Sequence, residues 1–354
     1  MNKNPGRRIS LRDIAGELGI SHVTVSRALR NMQNVAPELK ARIQSKADEM
    51  GYTPDPLLAS LSRYSKTGGS KSIQAELAWM NVWDPPEQLR QHREFELYWK
   101  GASDNAERTG YRLEEFNMAE IPPSRLKAIL RARNIQGIML PPLGKPTTLL
   151  DTFDWSDFAV VRFGQAIRQP EVHIVGSSQQ ENAMLAFDRI HQLGYQRIGC
   201  VCQYSRMRFF GSGYIWAQRE LPTNRQLPLL TKNTAHSFQQ NQRELDAWLR
   251  RHKPDAIFTD DTEVRNMLIN LGYSIPHDIA LATTSIHDTD IDTGLDQRPY
   301  EIGWAATRML TALINEKSFG IPECQSELLI EGIWVDSSMM PKKQMERRAP
   351  GSEK

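Results

Sequence analysis

Cysteine is scarce in this sequence, since its 354 residues contain only Cys200, Cys202 and Cys324. One residue separates Cys200 from Cys202, which is neither a CxxC redox pair nor the spacing of a metal clip, and Cys324 stands alone. This usage excludes a disulfide-stapled scaffold, which needs many paired cysteines in a short chain. We expect the thiols to be reduced and buried.

Long apolar runs are also missing. No stretch approaches the roughly 18 apolar residues that cross a bilayer. The first ten residues, MNKNPGRRIS, have no apolar segment behind their charges, as a secretory signal would. We therefore expect a cytoplasmic protein with no membrane partner.

Catalytic motifs are a third absence. The chain contains no GxSxG, no P-loop and no HExxH, and its eight histidines are scattered without metal-ligand spacing. We predict no catalytic residue, no metal ligand and no cofactor, and therefore a protein that is not an enzyme.

Charge is unevenly distributed, although the formal net charge is only +2. Residues 1–66 contain eleven Lys or Arg against six Asp or Glu, a balance of +5, which leaves −3 for the remainder. A basic head on a mildly acidic body is typical of a nucleic-acid-binding module joined to a second domain. A basic tail without a ligand would have the same charge, so the motifs must separate these interpretations.

The head of the sequence predicts three short helices. Ser10 and Asp13 form a loose capping box at the start of LRDIAGEL, and Gly19 follows as a helix stop. Ser21 can cap a second helix, and Pro37 suits the first turn of a third. Two short helices joined by a turn that contains glycine form a helix-turn-helix.

The second of these helices has different chemistry on its two sides. The apolar stripe that would join it to the first helix consists of Ile14, Ala15, Leu18, Val25 and Leu29. In a helix-turn-helix, the N-terminal part of the second helix enters the major groove. The side chains available there for phosphates and base edges are Ser21, His22, Val23, Thr24, Ser26 and Arg27. A plain three-helix bundle would have the same stripe, but it would not need this exposed set.

A fourth, shorter helix is predicted from Pro56 to about Arg63, because Asp55 is a good N-cap and Pro56 suits a first turn. Two turns are not stable alone in water. The polar stretch SKTGGSKS follows as a flexible linker.

From residue 73 onward, strand patterns alternate with helical patterns, and the strand candidates are QAELAWMNV, YRLEEF, IQGIMLP, FAVVRF, EVHIVG, RIGCVCQ, DAIFTD, IALATT and SELLIE. Helices are predicted at 94–108, 124–133, 180–193, 213–221, 237–251, 263–271 and 301–315. This alternation predicts parallel sheets covered by helices on both faces. About 265 residues is large for one open sheet, so two α/β lobes are expected. The polar tail PKKQMERRAPGSEK is predicted to be disordered.

The stretch SLRDIAGELGISHVTVSRALRN resembles the N-terminal signature of the LacI/GalR family of bacterial transcription regulators. The matching positions are Leu11, Asp13, Ile14, Ala15, Gly19, Ser21, Thr24, Val25, Ser26, Arg27, Leu29 and Asn31. A weaker resemblance continues through the body in family order, for example in FELYWKGASDNAERTGYRL, IQGIMLPP, LGYQRIGCV and KPDAIFTDD.

The resemblance implies an N-terminal all-α helix-turn-helix domain followed by a two-lobed, periplasmic-binding-protein-like α/β effector domain with parallel sheets. The expected divisions are a DNA-binding domain at 1–54, a hinge helix and linker at 55–72, an effector-binding and dimerisation domain at 73–340, and a disordered tail at 341–354. The first lobe would comprise about 73–175 and 298–326, and the second about 176–297 and 327–337.

The resemblance also implies a homodimer on a near-palindromic operator DNA. The two heads would occupy successive major grooves, and the hinge helices would meet in the minor groove, where Leu61 would wedge a base step. We add Asn34 to the expected DNA-binding residues. The hinge departs from the family in Pro56, where arginine is usual, and Leu58, where alanine is usual. Alternatively, the hinge leucines merely pack among themselves.

The resemblance places a small-molecule effector between the lobes. Sugar sites in this family use Asp, Asn and Arg, with an aromatic ring against the sugar, and this chain departs from them by Ser177, Ser178 and Ser285. The candidate effector-binding residues are Trp83, Asp84, Arg206, Arg208, Phe210, Trp216, Asp260, Asp261 and Gln297. Two alignments stay open around SRMRFFGSGY: one makes Arg208 the ligand arginine, and the other puts Phe210 there.

We therefore expect a sequence-specific transcriptional regulator, a repressor of carbohydrate catabolism genes, controlled by a sugar-like effector. The alternatives are a cytoplasmic small-molecule-binding protein without operator binding and a regulator that answers to a non-sugar effector. A sugar-processing enzyme is a third alternative, for which the sequence offers no catalytic constellation.

Overall fold

The computed structural model describes residues 10–29, 35–50, 75–144, 147–165 and 169–343. The predictions for Asn34, for the hinge helix with Leu61 and for the tail beyond residue 343 lie outside these ranges. The chain divides into two compact units, Met1–Ser72 and Ile73–Lys354.

The first unit contains the three predicted helices, Leu11–Leu18 (α1), His22–Leu29 (α2) and Pro37–Glu49 (α3). The capping box at the start of α1 is present. The Ser10 side chain accepts a hydrogen bond from the Asp13 N–H, and the Asp13 carboxylate accepts one from the Ser10 N–H at 2.7 Å. Gly19 ends α1 with a φ of +64°, a left-handed conformation that glycine adopts without strain.

The core of the first unit joins all three helices. Its buried side chains are Ile14, Ala15, Val25, Ala28, Ile43 and Ala47, with Leu11, Leu18 and Leu29 packed at the edge. The predicted contact between α1 and α2 is confirmed. Because Val25 and Ala28 are fully buried, the orientation of α2 about its axis is fixed, and the opposite side of that helix is turned outward.

The second unit contains two six-stranded sheets in the described part of the chain. Their strands are Ala75–Asn81 (β1), Tyr111–Asn117 (β2), Gly137–Leu140 (β3), Ala159–Phe163 (β4), His173–Ser177 (β5), Ile198–Gln203 (β6), Leu230–Lys232 (β7), Ala256–Thr259 (β8), Ala280–Thr283 (β9), Gly294–Asp296 (β10), Glu327–Ile330 (β11) and Ile333–Val335 (β12). The first sheet has the order β11-β5-β4-β3-β1-β2, and the second has the order β12-β10-β9-β8-β6-β7. All pairs are parallel except β10 with β12. The predicted two-lobed α/β architecture with parallel sheets is confirmed.

Helices connect these strands as the sequence pattern predicted. They are Gln88–Gln91 (α4), Arg93–Arg108 (α5), Pro123–Ala132 (α6), Gln179–Gln192 (α7), Ser212–Ala217 (α8), Phe238–His252 (α9), Val264–Asn270 (α10) and Pro299–Glu316 (α11). The predicted ends agree within two residues, except that α8 stops at Ala217 and continues as a 3₁₀ turn through Glu220. The short α4 was not predicted.

Helices α5 and α11 pack against each other in the first lobe with almost no space between their backbones. A Cβ atom built on Gly101 would lie 1.9 Å from the carbonyl oxygen of Tyr300, and one built on Gly303 would lie 2.0 Å from that of Tyr98. Only glycine permits this approach. The contact matters for the ligand site, because α5 begins beside the cleft described below and α11 begins two residues after Gln297.

The chain crosses between the lobes three times in the described residues: after β5, after β10, and between β11 and β12. The expected boundary after residue 326 is wrong, because Glu327–Ile330 pairs with β5 in the first sheet. The third crossing therefore falls at Gly332, whose N–H donates to Asn182 Oδ1 at 2.8 Å. Asn182 Nδ2 in turn donates to Ser177 Oγ at 2.7 Å, so two of the crossings are hydrogen-bonded together.

Three further expectations need correction. The tail does not begin at residue 341, because the Lys343 N–H donates to the Leu193 carbonyl at 2.8 Å and Tyr195 Oη donates to the Pro341 carbonyl at 2.8 Å. Strands β7, β10 and β12 were missed, since three residues are too few to show an alternating pattern. Cys324 is exposed rather than buried, whereas the other two cysteines are buried.

Candidate nucleic-acid interface and ligand cleft

Helix α2 begins at a serine that caps it. The Thr24 N–H donates to Ser21 Oγ at 3.1 Å, and the two hydroxyl oxygens of these residues lie 2.9 Å apart. Since one hydroxyl donates to the other, the second keeps its proton and can donate to a phosphate oxygen. The cap therefore orders the start of the helix and leaves one outward hydrogen-bond donor there.

The outer side of α2 presents the predicted DNA-binding residues. Ser21, His22 and Arg27 are exposed, and Val23 is 44% exposed, which is high for a valine in a small domain. Thr24 and Ser26 are half-buried at the borders of this face. A basic group, an imidazole, an apolar tip and hydroxyls therefore lie side by side on one helix, and these are the groups that read base edges and phosphates in a major groove.

The second unit has a cleft of about 250 Å³ between its lobes. Its walls come from segments that follow the carboxyl ends of strands in both sheets, such as Leu143 after β3, Gly164 after β4, Asp260 after β8 and Ser285 after β9. In open parallel sheets, ligands bind at this end of the strands. The volume lies just below the ~300–1,000 Å³ typical of small-molecule sites.

The structure brings four of the nine predicted effector residues to this cleft, namely Arg206, Phe210, Asp260 and Gln297. Phe210 is buried in the second-lobe core and reaches the cleft, whereas Arg208 does not line it. Of the two residues that the open alignments offered, only Phe210 lines the cleft. The Gln297 side chain donates to the Thr284 carbonyl at 2.8 Å, so its amide is held in one orientation.

The other predicted residues lie elsewhere. Trp83 and Asp84 line a separate depression of the first lobe, and the Trp83 indole N–H donates to the Pro142 carbonyl at 2.8 Å. Trp216 is 70% exposed on α8 and is not part of the cleft wall. Asp261 is buried beside Lys232, whose Nζ lies 2.7 Å from its Oδ2.

Aromatic side chains of the first lobe form one wall of the cleft. The Phe95 and Tyr98 rings are stacked with centroids 6.0 Å apart, and the Tyr98 and Phe163 rings are stacked with centroids 5.1 Å apart. All three line the cleft. An aromatic ring was expected in the cleft at Trp83, Phe210 or Trp216. Phe95, Tyr98 and Phe163 were not predicted, because their positions in a helix and a strand pattern are also those of ordinary core residues.

Asp260 is the cleft carboxylate that has an oxygen without a hydrogen-bond donor among the described residues. Its Oδ1 accepts a hydrogen bond from the Gln203 N–H at 2.9 Å, while its Oδ2 is shielded and has no donor among the described residues. Burial raises the pKa of Asp260 to about 6, an effect that the Gln203 N–H and Arg206 partly oppose. Because this pKa is below 7, most of the carboxylate is ionised at neutral pH.

The two lobes also bond directly to each other across the cleft. Ser285 Oγ donates to Glu94 Oε2 at 3.1 Å, and the other Glu94 oxygen accepts from Tyr98 Oη at 2.8 Å. Asp288 of the second lobe accepts hydrogen bonds from the N–H groups of Arg93 and Glu94, at 2.7 and 3.1 Å. These N–H groups open α5, whose N-cap residue supplies no side-chain bond. Asp288 therefore caps a helix of the opposite lobe.

Glu94 and Asp288 were not predicted as cleft residues from the sequence. A cap normally lies within the few residues that precede its helix, whereas Asp288 follows the start of α5 by almost 200 residues. The only available signal was the acidic loop HDTDID after β9, which by itself indicates a solvated turn.

Replacing Asp288 by alanine is expected to expose the first turn of α5. A helix cap contributes about 1 kcal/mol, so hydrogen exchange of the Arg93 and Glu94 amides should become about fivefold faster. Exchange measured by mass spectrometry on peptides that cover residues 92–97 checks this. Asp290→Ala is the matched control, since Asp290 lies on the same loop but pairs with Arg265 of its own lobe. Equal exchange in wild type and Asp288→Ala would contradict the capping role.

Two absences belong with these sites. Within the described residues, no cluster of three His, Cys, Asp or Glu side chains is arranged to hold a metal ion. In the same part of the chain, no helix is both long enough and apolar enough to span a membrane.

The fold and the outer face of α2 define a class of protein: a helix-turn-helix head joined to a two-lobed domain with a ligand-sized cleft. Residues 10–55 match the family model described as bacterial regulatory proteins, lacI family. The match covers the three-helix head, where the sequence resembles the LacI/GalR family.

Curated relatives agree over the head. An HTH-type transcriptional regulator of Mycobacterium tuberculosis is 36% identical over 77 residues, which are 22% of this chain and 21% of that protein. The HTH-type transcriptional regulator GntR of Escherichia coli K12 is 41% identical over 49 residues, which are 14% of this chain and 15% of that protein. The matches thus span about a fifth or less of the length of these relatives.

Solved structures extend the likeness to the whole fold. A complex of the transcriptional regulator CelR with cellobiose has a TM-score of 0.55 at 17% identity, covering 94% of this chain and 100% of that one. The lac repressor dimer bound to operator and the anti-inducer ONPF has a TM-score of 0.52 at 14% identity, covering 95% and 100%. At these identities the likeness establishes the fold alone.

Proposed function

We propose that this protein is a sequence-specific DNA-binding transcriptional regulator whose DNA binding is controlled by a small molecule in the interlobe cleft. The observation that carries the proposal is the outer face of α2. His22, Val23 and Arg27 are exposed there, while Val25 and Ala28 on the opposite side hold the helix in the head core. A structural bundle would gain nothing from exposing this set of groups, whereas a major-groove reader needs it.

The protein is proposed to act as a homodimer on a near-palindromic operator, with one head on each half-site. A symmetric dimer matches a symmetric site, because each head then makes the same contacts. In the proposed arrangement Ser21, Thr24 and Ser26 contact phosphates, and His22, Val23 and Arg27 contact bases. Asn34 and Leu61 remain proposed contacts at positions outside the described residues.

The effector is proposed to be a sugar-like molecule, and the regulated genes are proposed to serve carbohydrate catabolism under repression. The cleft combines an aromatic wall at Phe95, Tyr98 and Phe163 with polar groups at Asp260 and Gln297. Stacked rings suit the apolar face of a sugar, and buried polar groups suit its hydroxyls. Cellobiose bound to the similarly folded CelR is consistent with this class.

Selection from a random double-stranded DNA pool with the full-length protein tests the proposal. We expect an enriched, nearly two-fold symmetric motif, and binding to it should weaken steeply with salt because phosphate contacts release counterions. The unselected pool at equal salt is the control. If no sequence is enriched, the alternative of a small-molecule-binding protein without operator binding takes precedence, and the cleft is then the observation that favours it.

A further inference from the structure

The cleft is lined by more negative than positive charge. Glu94, Asp260 and Asp288 contribute carboxylates, and Arg206 contributes the one guanidinium among the described lining residues. The formal charge of the described lining residues is therefore −2, although the chain as a whole carries +2. A narrow cleft with low-dielectric walls focuses such a field on whatever enters it.

Two of these carboxylates are already used by the protein. Both oxygens of Glu94 accept hydroxyl protons, from Tyr98 and Ser285, and both oxygens of Asp288 accept backbone N–H groups at the start of α5. Glu94 and Asp288 therefore act on a ligand mainly through their field and do not need a donor from it.

Asp260 differs, because one of its oxygens is unused. The shielded Oδ2 has no donor among the described residues, and an unpaired buried carboxylate oxygen is costly to maintain. Asp260 lines the cleft, so a ligand hydroxyl or ammonium can donate to its carboxylate, and it would reach the shielded Oδ2 only on rotation of that side chain. A ligand oxyanion would instead meet a third repelling carboxylate.

Arg206 does not reverse this balance. It lines the cleft and makes no hydrogen bond or ion pair among the described residues, so it can donate to a ligand oxygen. A guanidinium also binds neutral hydroxyl or carbonyl oxygens, so its presence does not require an anion. Among the described lining residues, this single positive charge stands against three carboxylates.

We propose that the cleft selects its effector by charge: it accepts an uncharged or cationic molecule that donates a hydrogen bond to Asp260, and it rejects sugars that carry a phosphate or a carboxylate. The proposal rests on the effector role proposed above for this cleft. It adds the rule that separates one set of carbohydrate ligands from another.

Matched sugar panels test the rule on the full-length protein. For glucose, galactose, ribose and cellobiose, the neutral sugar is compared with available amino, phosphorylated and carboxylated forms by thermal shift, and hits are measured by titration calorimetry. We expect at least one neutral or amino sugar to bind, and its phosphorylated or carboxylated form to bind at least tenfold more weakly. Asp260→Asn should reduce this discrimination, because it removes one repelling charge while preserving side-chain shape.

Asp290→Asn is the control for the loss of a carboxylate. Asp290 follows Thr289, which lines the cleft, but Asp290 itself does not line it and pairs with Arg265. The variant should therefore discriminate between neutral and anionic sugars as the wild type does. An anionic sugar that binds as tightly as its neutral parent overturns the charge rule, and so does a panel in which no neutral or amino sugar binds. The regulator function is judged separately by the DNA selection, so failure of one proposal is distinguishable from failure of the other.

Discussion

Replacing Gly303 by alanine is expected to lower the melting temperature of the two-lobed domain by roughly 7 °C. The new Cβ would lie 2.0 Å from the Tyr98 carbonyl oxygen and 2.8 Å from its carbon. Both are backbone atoms of α5, which can yield only if the whole helix moves. Overpacking of this kind costs about 3 kcal/mol, and each kcal/mol lowers the melting temperature of a domain of this size by about 3 °C.

The opposing effect of the same substitution is smaller. Alanine in place of a helical glycine gains about 0.5–1 kcal/mol, because it restricts the unfolded chain. That gain does not offset the collision between helices α5 and α11. The net loss therefore reports on packing between the two helices and not on the helix propensity of α11.

A double substitution makes this prediction sharper. Gly101→Ala collides with the Tyr300 carbonyl at 1.9 Å, at the same helix–helix contact. Once one alanine has separated the helices, the second should cost less, so the two losses should not add. Calorimetric melting of both single variants and the double variant measures this.

Asn315→Ala, at an exposed position of α11, is the control and should leave the melting temperature within about 2 °C of wild type. Additive losses, or an unchanged melting temperature for Gly303→Ala, would refute the close-packing argument.

The sequence pattern predicts the helices and most strands of the two-lobed domain well, because strands and helices alternate along the chain. Helices α5 to α11 were placed by their alternation with strand patterns, and that alternation also predicts the parallel strands. The two close-packed glycines were not singled out. In the sequence, Gly101 and Gly303 look like residues that lower the helix propensity of α5 and α11. Only the contact between the two helices explains why glycine is needed there.

The head was predictable in more detail than the cleft, and the reason is physical. The face of α2 is set by residues three and four apart on one short helix, so burial of Val25 and Ala28 already determines that Arg27 is exposed. The cleft is assembled from loops of two sheets, whose side-chain directions depend on contacts remote in sequence. Trp83 and Trp216 have the right chemistry for a sugar, but a bond to Pro142 and the helical phase of α8 direct them elsewhere.

The charge of the cleft was likewise not predictable, because it also depends on residues that are remote from one another in the sequence. Composition assigns −3 to everything after residue 66, and that value does not indicate where the carboxylates gather. Glu94 belongs to a helix of one lobe and Asp288 to a loop of the other, and only closure of the lobes brings them to one cavity. The same carboxylates that shape the field also bond the lobes together, so ligand selection and lobe geometry share residues. An effector that changes one of these bonds can therefore change the arrangement of the lobes.

The second large effect is expected at Arg27, which is exposed on α2 and is the only basic residue in the last turn of that helix. Arginine to guanine is a frequent base-specific contact, and a good bidentate pair contributes about 1–3 kcal/mol. A dimer makes the contact twice, so Arg27→Ala should cost about 2–6 kcal/mol, or about 30-fold or more in affinity for the selected operator. Binding to random DNA should fall far less, because it depends on total charge rather than on base contacts.

Titration of wild type and variant against operator and random duplexes, at several salt concentrations, separates these effects. Arg42→Ala is the charge-matched control, since Arg42 is also exposed but lies on α3. Losing a charge there should weaken binding to operator and random DNA by a similar, small factor. The slope of the logarithm of the binding constant against the logarithm of the salt concentration should fall by about one at most. If Arg27→Ala weakens binding to both duplexes equally, Arg27 contacts only phosphates. The base reading would then fall to His22 and Val23, the other two exposed side chains in the middle of this face.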